Sequence, residues 1–256
     1  MILRRASENI RKENWVGVAI EFVLVVLGVF FGILAANWNE ERLARRETAE
    51  LLSQLNGELG AFQNFLDNFP PYYATVRSYA GRAQRGWRGD PEVDDRTFVI
   101  AAYQASQING VGNNGAVWSA IFGADRLREI DDAVLRQLLA RVMTFDYTVV
   151  DLRFVSSRYR EEVRTVIPDA IQRAIRERCG DRQGRLGFTL PETCDLALEP
   201  ELARQAASAL RARPDLARDL NRHLALIDNQ LGNIATLRSV VDPLRARLQA
   251  SGAVQQ

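Results

Sequence analysis

Three glycines with the spacing of a dinucleotide-binding fingerprint are the first candidates for chemistry. Gly110-x-Gly112-x-x-Gly115 matches that fingerprint, and Asp131 follows about twenty residues after its start. Such a motif binds a pyrophosphate only where a strand precedes it and a helix follows it within a βαβ unit. Only the following helix is predicted here. We therefore interpret the segment as a loop whose glycines end one helix and whose asparagine pair caps the next, and we expect no cofactor.

Paired carboxylates and the single histidine are the remaining candidates for acid–base catalysis. His223 lies in a helix of apolar periodicity, and no serine or cysteine has the setting of a nucleophile, so we interpret it as a satisfied, half-buried ring. Neighbouring residues on a helix do not face each other, so adjacent carboxylates cannot act as catalytic dyads. The pairs are Glu40/Glu41, Asp94/Asp95, Asp131/Asp132 and Glu161/Glu162. We expect neither an enzyme nor a metal site.

Cys179 and Cys194 are the two cysteines of the chain. They flank a polar, glycine-containing stretch at 180–187, between two predicted helical segments. This spacing suits a disulfide that clamps the stretch in an oxidising compartment. In the chain-entropy model, a loop of this size gains roughly 3 kcal/mol from the bond. The alternative is a pair of unrelated free thiols.

Glu21 is an ionisable residue inside an apolar run, which makes it a functional candidate by default. At about 100° per residue, it shares one helical face, within about 40°, with five other residues. Those residues are Gly17, Gly28, Gly32, Ala35 and Asn39. Small residues let two helix backbones approach closely, and Gly28-x-x-x-Gly32 has the usual spacing for helix packing in membranes. We predict a helix–helix interface on this face. The alternative is a lone helix with a protonated or snorkelling Glu21.

The element that carries this face is predicted to be a transmembrane helix over residues 15–36. Twenty-two residues rise about 33 Å, enough to cross a hydrocarbon core of about 30 Å. Fourteen of them are Val, Leu, Ile or Phe, which contribute roughly −4 to −8 kcal/mol, whereas one acidic residue costs at most about 3 kcal/mol. Insertion is therefore favoured. Trp15 and Trp38 bracket the span as interfacial anchors.

The orientation of this helix is predicted from its flanks. Four basic residues precede the span and three follow it: Arg4, Arg5, Arg11 and Lys12, then Arg42, Arg45 and Arg46. This weak positive-inside bias and the cysteine pair agree on a cytoplasmic segment 1–14 and a periplasmic domain 37–256, anchored in the inner membrane of a bacterium. A cleaved signal peptide is the main alternative. The apolar run is longer than a usual signal core, and its exit lacks an A-x-A cleavage site.

Helical periodicity continues through nearly all of residues 37–256 and predicts an antiparallel helical bundle, so the fold class is all-α. Two stripes of apolar residues, separated by Pro70-Pro71, define the first helices, and the first should continue out of the membrane. The stripes are Leu52, Leu55, Leu59, Phe62 and Leu66, and then Tyr72, Val76, Tyr79, Ala83 and Trp87. The last helix carries a third stripe, formed by Leu220, Leu224, Ile227, Leu231, Ile234, Val241, Leu244 and Leu248.

The middle of the chain gives weaker signals. Residues 93–108 are predicted to be a helix, although 97–100 alone could form a strand, and a short helix is expected at 116–122, where Trp118 is a core residue. Asp131 is predicted to cap a long helix that runs up to Pro168, which kinks or restarts it. A further helix at 199–211 ends before Pro214.

The motifs around the membrane helix resemble those of an uncharacterised family of bacterial single-span membrane proteins, a domain of unknown function. They are Glu21-x-x-Leu24-Val25-Val26-x-Gly28 and then Asn37-Trp38-Asn39-Glu40-x-Arg42. Trp118-x-x-Ile121 and Ile130-x-Asp132-x-x-Leu135 are similar to the family's second motif. The resemblance implies a membrane location and a helical domain outside the cytoplasm. It implies no activity.

The function expected from the sequence is that of a membrane-anchored interaction or scaffold protein, which associates with itself or with another membrane protein through its span. Residues 37–256 carry 29 basic and 29 acidic side chains, so there is no electrostatic case for nucleic acid. Two other classes stay open. One is a periplasmic ligand-sensing bundle, which a pocket of convergent polar side chains would favour. The other is an accessory subunit of a proton-driven complex that uses Glu21 as a relay.

Overall fold

The computed structural model describes residues 15–110, 127, 130–150, 157–184 and 187–250. The fold is all-α, as predicted: a long apolar helix at the N-terminal end is followed by a helical region, and one small sheet of two short strands interrupts it. Some predictions concern residues outside the described part of the chain. They are those for the segment 1–14, Gly112, Gly115, Trp118, Ile121 and the helix at 116–122.

The first helix, α1, spans Trp15–Asp67 without a break. Its 53 residues rise about 80 Å, more than twice the thickness of a hydrocarbon core. Residues 15–36 of α1 are apolar apart from Glu21 and are not buried, whereas the predicted stripe from Leu52 to Leu66 is buried against the rest of the fold. The prediction that the apolar helix continues into the helical domain is confirmed.

Only Asn68 separates α1 from the second helix, α2, which spans Phe69–Trp87. Pro70 and Pro71 lie in the first turn of α2, where a missing amide hydrogen removes no helical hydrogen bond. The prolines therefore begin a new helix. Gly89, with a positive φ of 73°, follows the end of α2 and turns the chain towards the next element.

Helix α3 spans Asp95–Gln104 and excludes the alternative of a strand at 97–100. The Asp94 side chain caps it by accepting a hydrogen bond from the Thr97 amide. All seven residues from Phe98 to Gln104 are buried, because α3 packs between α2 and a later helix, α7, which spans Pro200–Arg211.

The predicted single helix from Asp131 to Pro168 is wrong. Helix α4 spans Ala133–Met143, and its cap is Asp132, whose side chain accepts hydrogen bonds from the amides of Val134 and Leu135. A 3₁₀ turn follows at Tyr147–Val150. The Asp146 carboxylate accepts from both the amide and the hydroxyl of Thr148, and this local turn competes with helix continuation.

Two short helices and a hairpin complete the middle of the chain. Helix α5 spans Arg158–Val166 and α6 spans Asp169–Cys179, with Pro168 at the N-cap of α6, so the prediction that Pro168 restarts the helix is confirmed. Strands β1 (Arg182–Gly184) and β2 (Gly187–Thr189) pair antiparallel, with Gln183 opposite Phe188. The polar stretch at 180–187, predicted to lie between two helical segments, therefore contains a short hairpin.

The last helix, α8, spans Pro214–Ala250 and runs antiparallel to both α1 and α2. Successive contacts show the direction: Gln63 meets Asp242, Asp67 meets Arg238, Arg77 meets Asp228 and Gln84 meets Asn221. Because these partners descend steadily along α8, α2 continues in the direction of α1. The apolar core lies along this seam and includes the predicted stripe of α8.

Candidate functional site

The predicted interface residues all lie in the N-terminal part of α1, on one face of a single regular helix. An 18-residue window of this helix has a mean hydropathy of 2.7, and none of it is buried inside the protein. In the described part of the chain, this is the one helix long and apolar enough to cross a membrane. By contrast, the core helices of the domain bury their apolar faces.

The glycines on this face leave open space beside the backbone. A Cβ atom added at Gly28 or at Gly32 would meet no other heavy atom within 4 Å. Ala35 and Asn39 are exposed, whereas Gly17 and Glu21 are half-buried. The face from Glu21 to Asn39 is therefore accessible to another helix along its length.

Trp15 and Trp38 stand at the two ends of this apolar segment. Their side chains are 69% and 65% exposed, and the 23 residue steps from one to the other rise about 35 Å along the helix. The guanidinium carbon of Arg42 lies 5.7 Å from the centre of the Trp38 ring, one turn further along α1. An aromatic ring beside a cation at this position is typical of the boundary between hydrocarbon and water.

The helix stays exposed for about ten residues after Trp38. Arg45 and Glu41 form an exposed ion pair one turn apart, with 3.5 Å between Nη2 and Oε2. Thr48 is the first buried residue of α1, and the apolar stripe begins one turn later at Leu52. The domain is thus separated from the apolar segment by a solvated stretch of about 15 Å.

Polar contacts fix α1 to α8 where the two helices pack. Arg245 on α8 lies over Gly60, where an added Cβ would stand 2.8 Å from its Nη2 atom, and it also donates to Gln63. Gln63 in turn donates to Asp242 over 2.6 Å. These contacts hold the rotation of α1, so the domain also sets which way the Glu21 face points.

His223 is more deeply buried than the sequence predicted. The residue is 2% exposed, and its Nδ1 atom lies 2.8 Å from the hydroxyl of Ser157, the N-cap of α5. Burial, together with a smaller effect of the Arg160 charge, lowers its pKa from 6.5 to about 4. Backbone groups of Gln107 and Ala105 raise the pKa and offset part of this shift. Among the described residues, Nε2 makes no hydrogen bond. The ring is neutral at neutral pH.

Sequence reasoning missed a second set of buried polar contacts beside this ring. Arg160 donates to the Ser106 carbonyl over 2.8 Å, and Arg164 donates to the Gln107 side chain over 3.0 Å. Gln104 donates to the carbonyl of Cys179 over 2.6 Å. These hydrogen bonds satisfy buried polar groups at and just after the end of α3. Their partners are more than fifty residues apart, so no local pattern could have signalled them.

Ser157 and His223 both take part in contacts that pack α5 against α8. Ser157 is itself buried, it caps α5, and its hydroxyl accepts from the Arg160 amide at 3.4 Å. Asp219, one turn before His223 on α8, pairs with Arg158, with 3.2 Å between Oδ2 and Nε. The contacts join α5 to α8 and hold the bundle together.

The sulfur atoms of Cys179 and Cys194 lie 1.96 Å apart, at disulfide distance, as the spacing predicted. The bond ties the C-terminus of α6 to the extended segment that leads to α7. Cys179 is buried. The β-hairpin projects within the loop that this bond closes, and Tyr72 of α2 donates to Asp181 just before it over 2.9 Å.

The other candidate sites are not assembled in the described residues. Gly110 follows helix α3 and not a strand, so the preceding element differs from that of a dinucleotide fold. In the described ranges, no group of three or more His, Cys, Asp or Glu side chains could hold a metal ion. Asp131 precedes the cap of α4, and the charge of Asp132 is paired with Arg247 over 2.7 Å.

Comparisons of the chain with protein-family models, with curated proteins and with solved structures give no match. The function is therefore inferred from the geometry of the chain itself.

Proposed function

We propose that the chain is a membrane-anchored interaction protein that associates through the Glu21 face of α1, most simply with a second copy of itself. Residues 15–36 cross the inner membrane of a bacterium, 1–14 stay in the cytoplasm, and 37–256 form a periplasmic domain. The resemblance to single-span bacterial membrane proteins, carried by the motifs at Glu21 and Asn37-Trp38-Asn39-Glu40, supports this location.

The observation that carries the proposal is the division of α1 into two halves. One half buries its apolar stripe in the domain, whereas the other carries residues 15–36, which are apolar apart from Glu21, and has nothing packed on Gly28 or Gly32. Apolar surface of this extent is stable in lipid and not in water. In lipid the hydrophobic effect does not drive helices together, so small residues and polar contacts must provide the association.

The rigid connection between α1 and the domain would make the association fix the relative orientation of two domains. Because α1 is unbroken and Arg245 and Gln63 fix it to α8, two copies joined at Gly28 would hold their domains in a defined relative rotation. The protein would then act as a scaffold that sets the spacing of two periplasmic domains above the membrane.

Two full-length copies with different affinity tags, co-expressed and solubilised in mild detergent, test the proposal. Purification through one tag should recover the other, and cysteine-free variants should behave alike, since the contact lies in the membrane. Recovery of one tag alone from membranes that contain both would contradict self-association. The same purification from native membranes would identify a different partner.

A further inference from the structure

A cleft of about 170 Å³ lies on the domain, away from the membrane helix. Three separate parts of the chain form its walls. They are Tyr79 and Arg82 from α2, Arg96, Thr97 and Ile100 from α3, and Thr193 and Cys194 from the segment held by the disulfide. In the described part of the chain, no carboxylate side chain lines the cleft.

The Arg82 guanidinium is held in place on two sides. Its central carbon lies 4.2 Å from the centre of the Tyr79 ring, and its Nη2 donates to the Glu192 carbonyl over 3.0 Å. The Tyr79 hydroxyl donates to the carbonyl of Pro191 over 2.8 Å, which fixes the ring. The buried Nε atom of Arg82 has no hydrogen-bond partner among the described residues. The Tyr79 ring and the Glu192 carbonyl therefore fix the guanidinium at the wall of the cleft.

The second cation of the cleft, Arg96, has an exposed side chain. Two acidic residues precede it in the chain: Asp94 already serves as the cap of α3, and Asp95 is paired with Arg211 over 2.7 Å. Hydrogen bonds from the side chain and the amide of Thr97 lower the pKa of Asp94, and Arg96 adds to this. The helix N-terminus is therefore occupied by its own cap, and the positive charge of the cleft comes from the two guanidinium groups.

We propose that this cleft binds a small oxyanion, a carboxylate or a phosphate, between Arg82 and Arg96. The planar guanidinium fork matches both groups and can bind either of them bidentately. Cavities of roughly 150 Å³ hold a molecule the size of benzene, so the ligand has only a few non-hydrogen atoms beyond the oxyanion. The site is independent of the proposed association through α1. It gives the periplasmic domain a ligand as well as a partner.

The disulfide positions one wall of this site. Cys194 lines the cleft directly, and the bond to Cys179 anchors its segment to α6, while Arg82 and Tyr79 hold the neighbouring carbonyls of Glu192 and Pro191. The arginine that would bind the anion is thus also part of the packing of the wall, so a second variant is needed in any test.

The experiment is calorimetric titration of the full chain in detergent micelles with sodium phosphate and with sodium succinate. Sodium chloride at matched ionic strength is the reference. Arg82→Gln and Arg96→Gln remove one guanidinium each, and Arg96 is exposed, so that variant keeps its fold. Arg218→Gln removes an exposed arginine from α8 and serves as the matched control.

We expect saturable binding of at least one of the two anions, weakened about tenfold or more by Arg82→Gln and by Arg96→Gln and unchanged in Arg218→Gln. Binding of phosphate alone would assign a phosphate ligand, and binding of succinate alone a carboxylate. Absence of saturable heat with both anions, or equal affinity in all three variants, would overturn the proposal.

Discussion

The ring of Phe98 on α3 packs directly against the backbone of Gly86 on α2. A Cβ atom added at Gly86 would lie 2.1 Å from Cδ2 of Phe98, and the ring is fully buried and cannot move aside. We predict that Gly86→Ala lowers the free energy of unfolding by about 1–3 kcal/mol, the usual cost of an overpacked core. Chemical denaturation followed by tryptophan fluorescence measures it.

Gly81, in the same helix, is the matched control. Nothing lies within 4 Å of a Cβ atom added there, and the residue is exposed. Since alanine favours a helix over glycine, Gly81→Ala should raise stability by about 0.5–1 kcal/mol. Equal effects of the two substitutions would mean that the close approach of α2 and α3 is misplaced.

The buried His223 makes stability depend on pH. Its pKa is about 4 in the folded chain and 6.5 as a model value, so the unfolded chain binds the proton more readily between these values. The contribution is fully present above pH 6.5 and is lost as pH falls towards 4. At 1.36 kcal/mol per pKa unit, the loss is about 3 kcal/mol. Urea unfolding between pH 4.5 and 7.5 measures it.

The variant His223→Gln separates this effect from that of the carboxylates. Glutamine keeps a polar side chain near Ser157 but does not titrate, so the free energy of unfolding should fall less steeply with decreasing pH than in the unmodified protein. Parallel curves for the two proteins over this range would show that His223 titrates normally in the fold.

The cysteine pair gives a prediction that needs no variant. After denaturation, a thiol reagent should label neither Cys179 nor Cys194 without reductant and both with it. Reduction should lower the free energy of unfolding by roughly 3 kcal/mol, since the bond closes a loop with a sequence separation of 15. Equal labelling in both samples would mean that the thiols are free, and would also weaken the periplasmic assignment.

The long helices could be predicted because their signals are local and regular. The apolar stripes of α1, α2 and α8 repeat every three to four residues, and each stripe is largely buried where the pattern placed it. Pro168 and Pro214 marked helix boundaries for a steric reason that does not depend on the rest of the fold. The continuation of the apolar helix into the domain agrees with the absence of proline between Asn37 and Asn68.

The prediction of one helix from Asp131 to Pro168 is wrong because the apolar residues continue the helical period beyond the end of α4. The turn at Asp146 depends on one side chain accepting two hydrogen bonds from Thr148, which a periodicity argument cannot register. Strands of three residues are too short to show alternation, so the hairpin at 182–189 was missed for a related reason.

The buried polar contacts and the cleft could not be predicted because their members are distant in sequence. Ser157 and His223 are 66 residues apart, and Arg82 meets the Glu192 carbonyl across 110 residues. The packing of α5 against α8 brings the first pair together, and the disulfide-anchored segment before α7 brings the Glu192 carbonyl to α2. A lone histidine or arginine in the sequence carries no sign of such a partner.

The proposed topology predicts the behaviour of reporter fusions. A reporter active only in the periplasm, fused after Gln256, should be active, and one active only in the cytoplasm should be silent at the same position. This topology is inferred from the basic residues before Trp15 and from the interfacial anchors Trp15 and Trp38. The opposite pair of activities would reverse the orientation while leaving the span in place.

The Glu21 face predicts which substitutions weaken association of the span. Replacing Gly28 or Gly32 by Ile should hold two backbones apart, whereas Glu21→Gln keeps the size and much of the hydrogen bonding. Interhelical polar contacts contribute only about 0.6–2 kcal/mol, so the glycine changes should weaken association more than Glu21→Gln does. Val29→Ile adds a methylene group to an exposed residue on another face and is the control.

Self-association of the isolated span in a bacterial membrane, read by a two-hybrid reporter, tests the central claim most directly. The account predicts a strong signal for the unmodified span and for Val29→Ile, a reduced signal for Glu21→Gln, and a larger loss for Gly28→Ile and Gly32→Ile. Signals for both glycine variants equal to those of the unmodified span and of Val29→Ile would contradict the proposed interface.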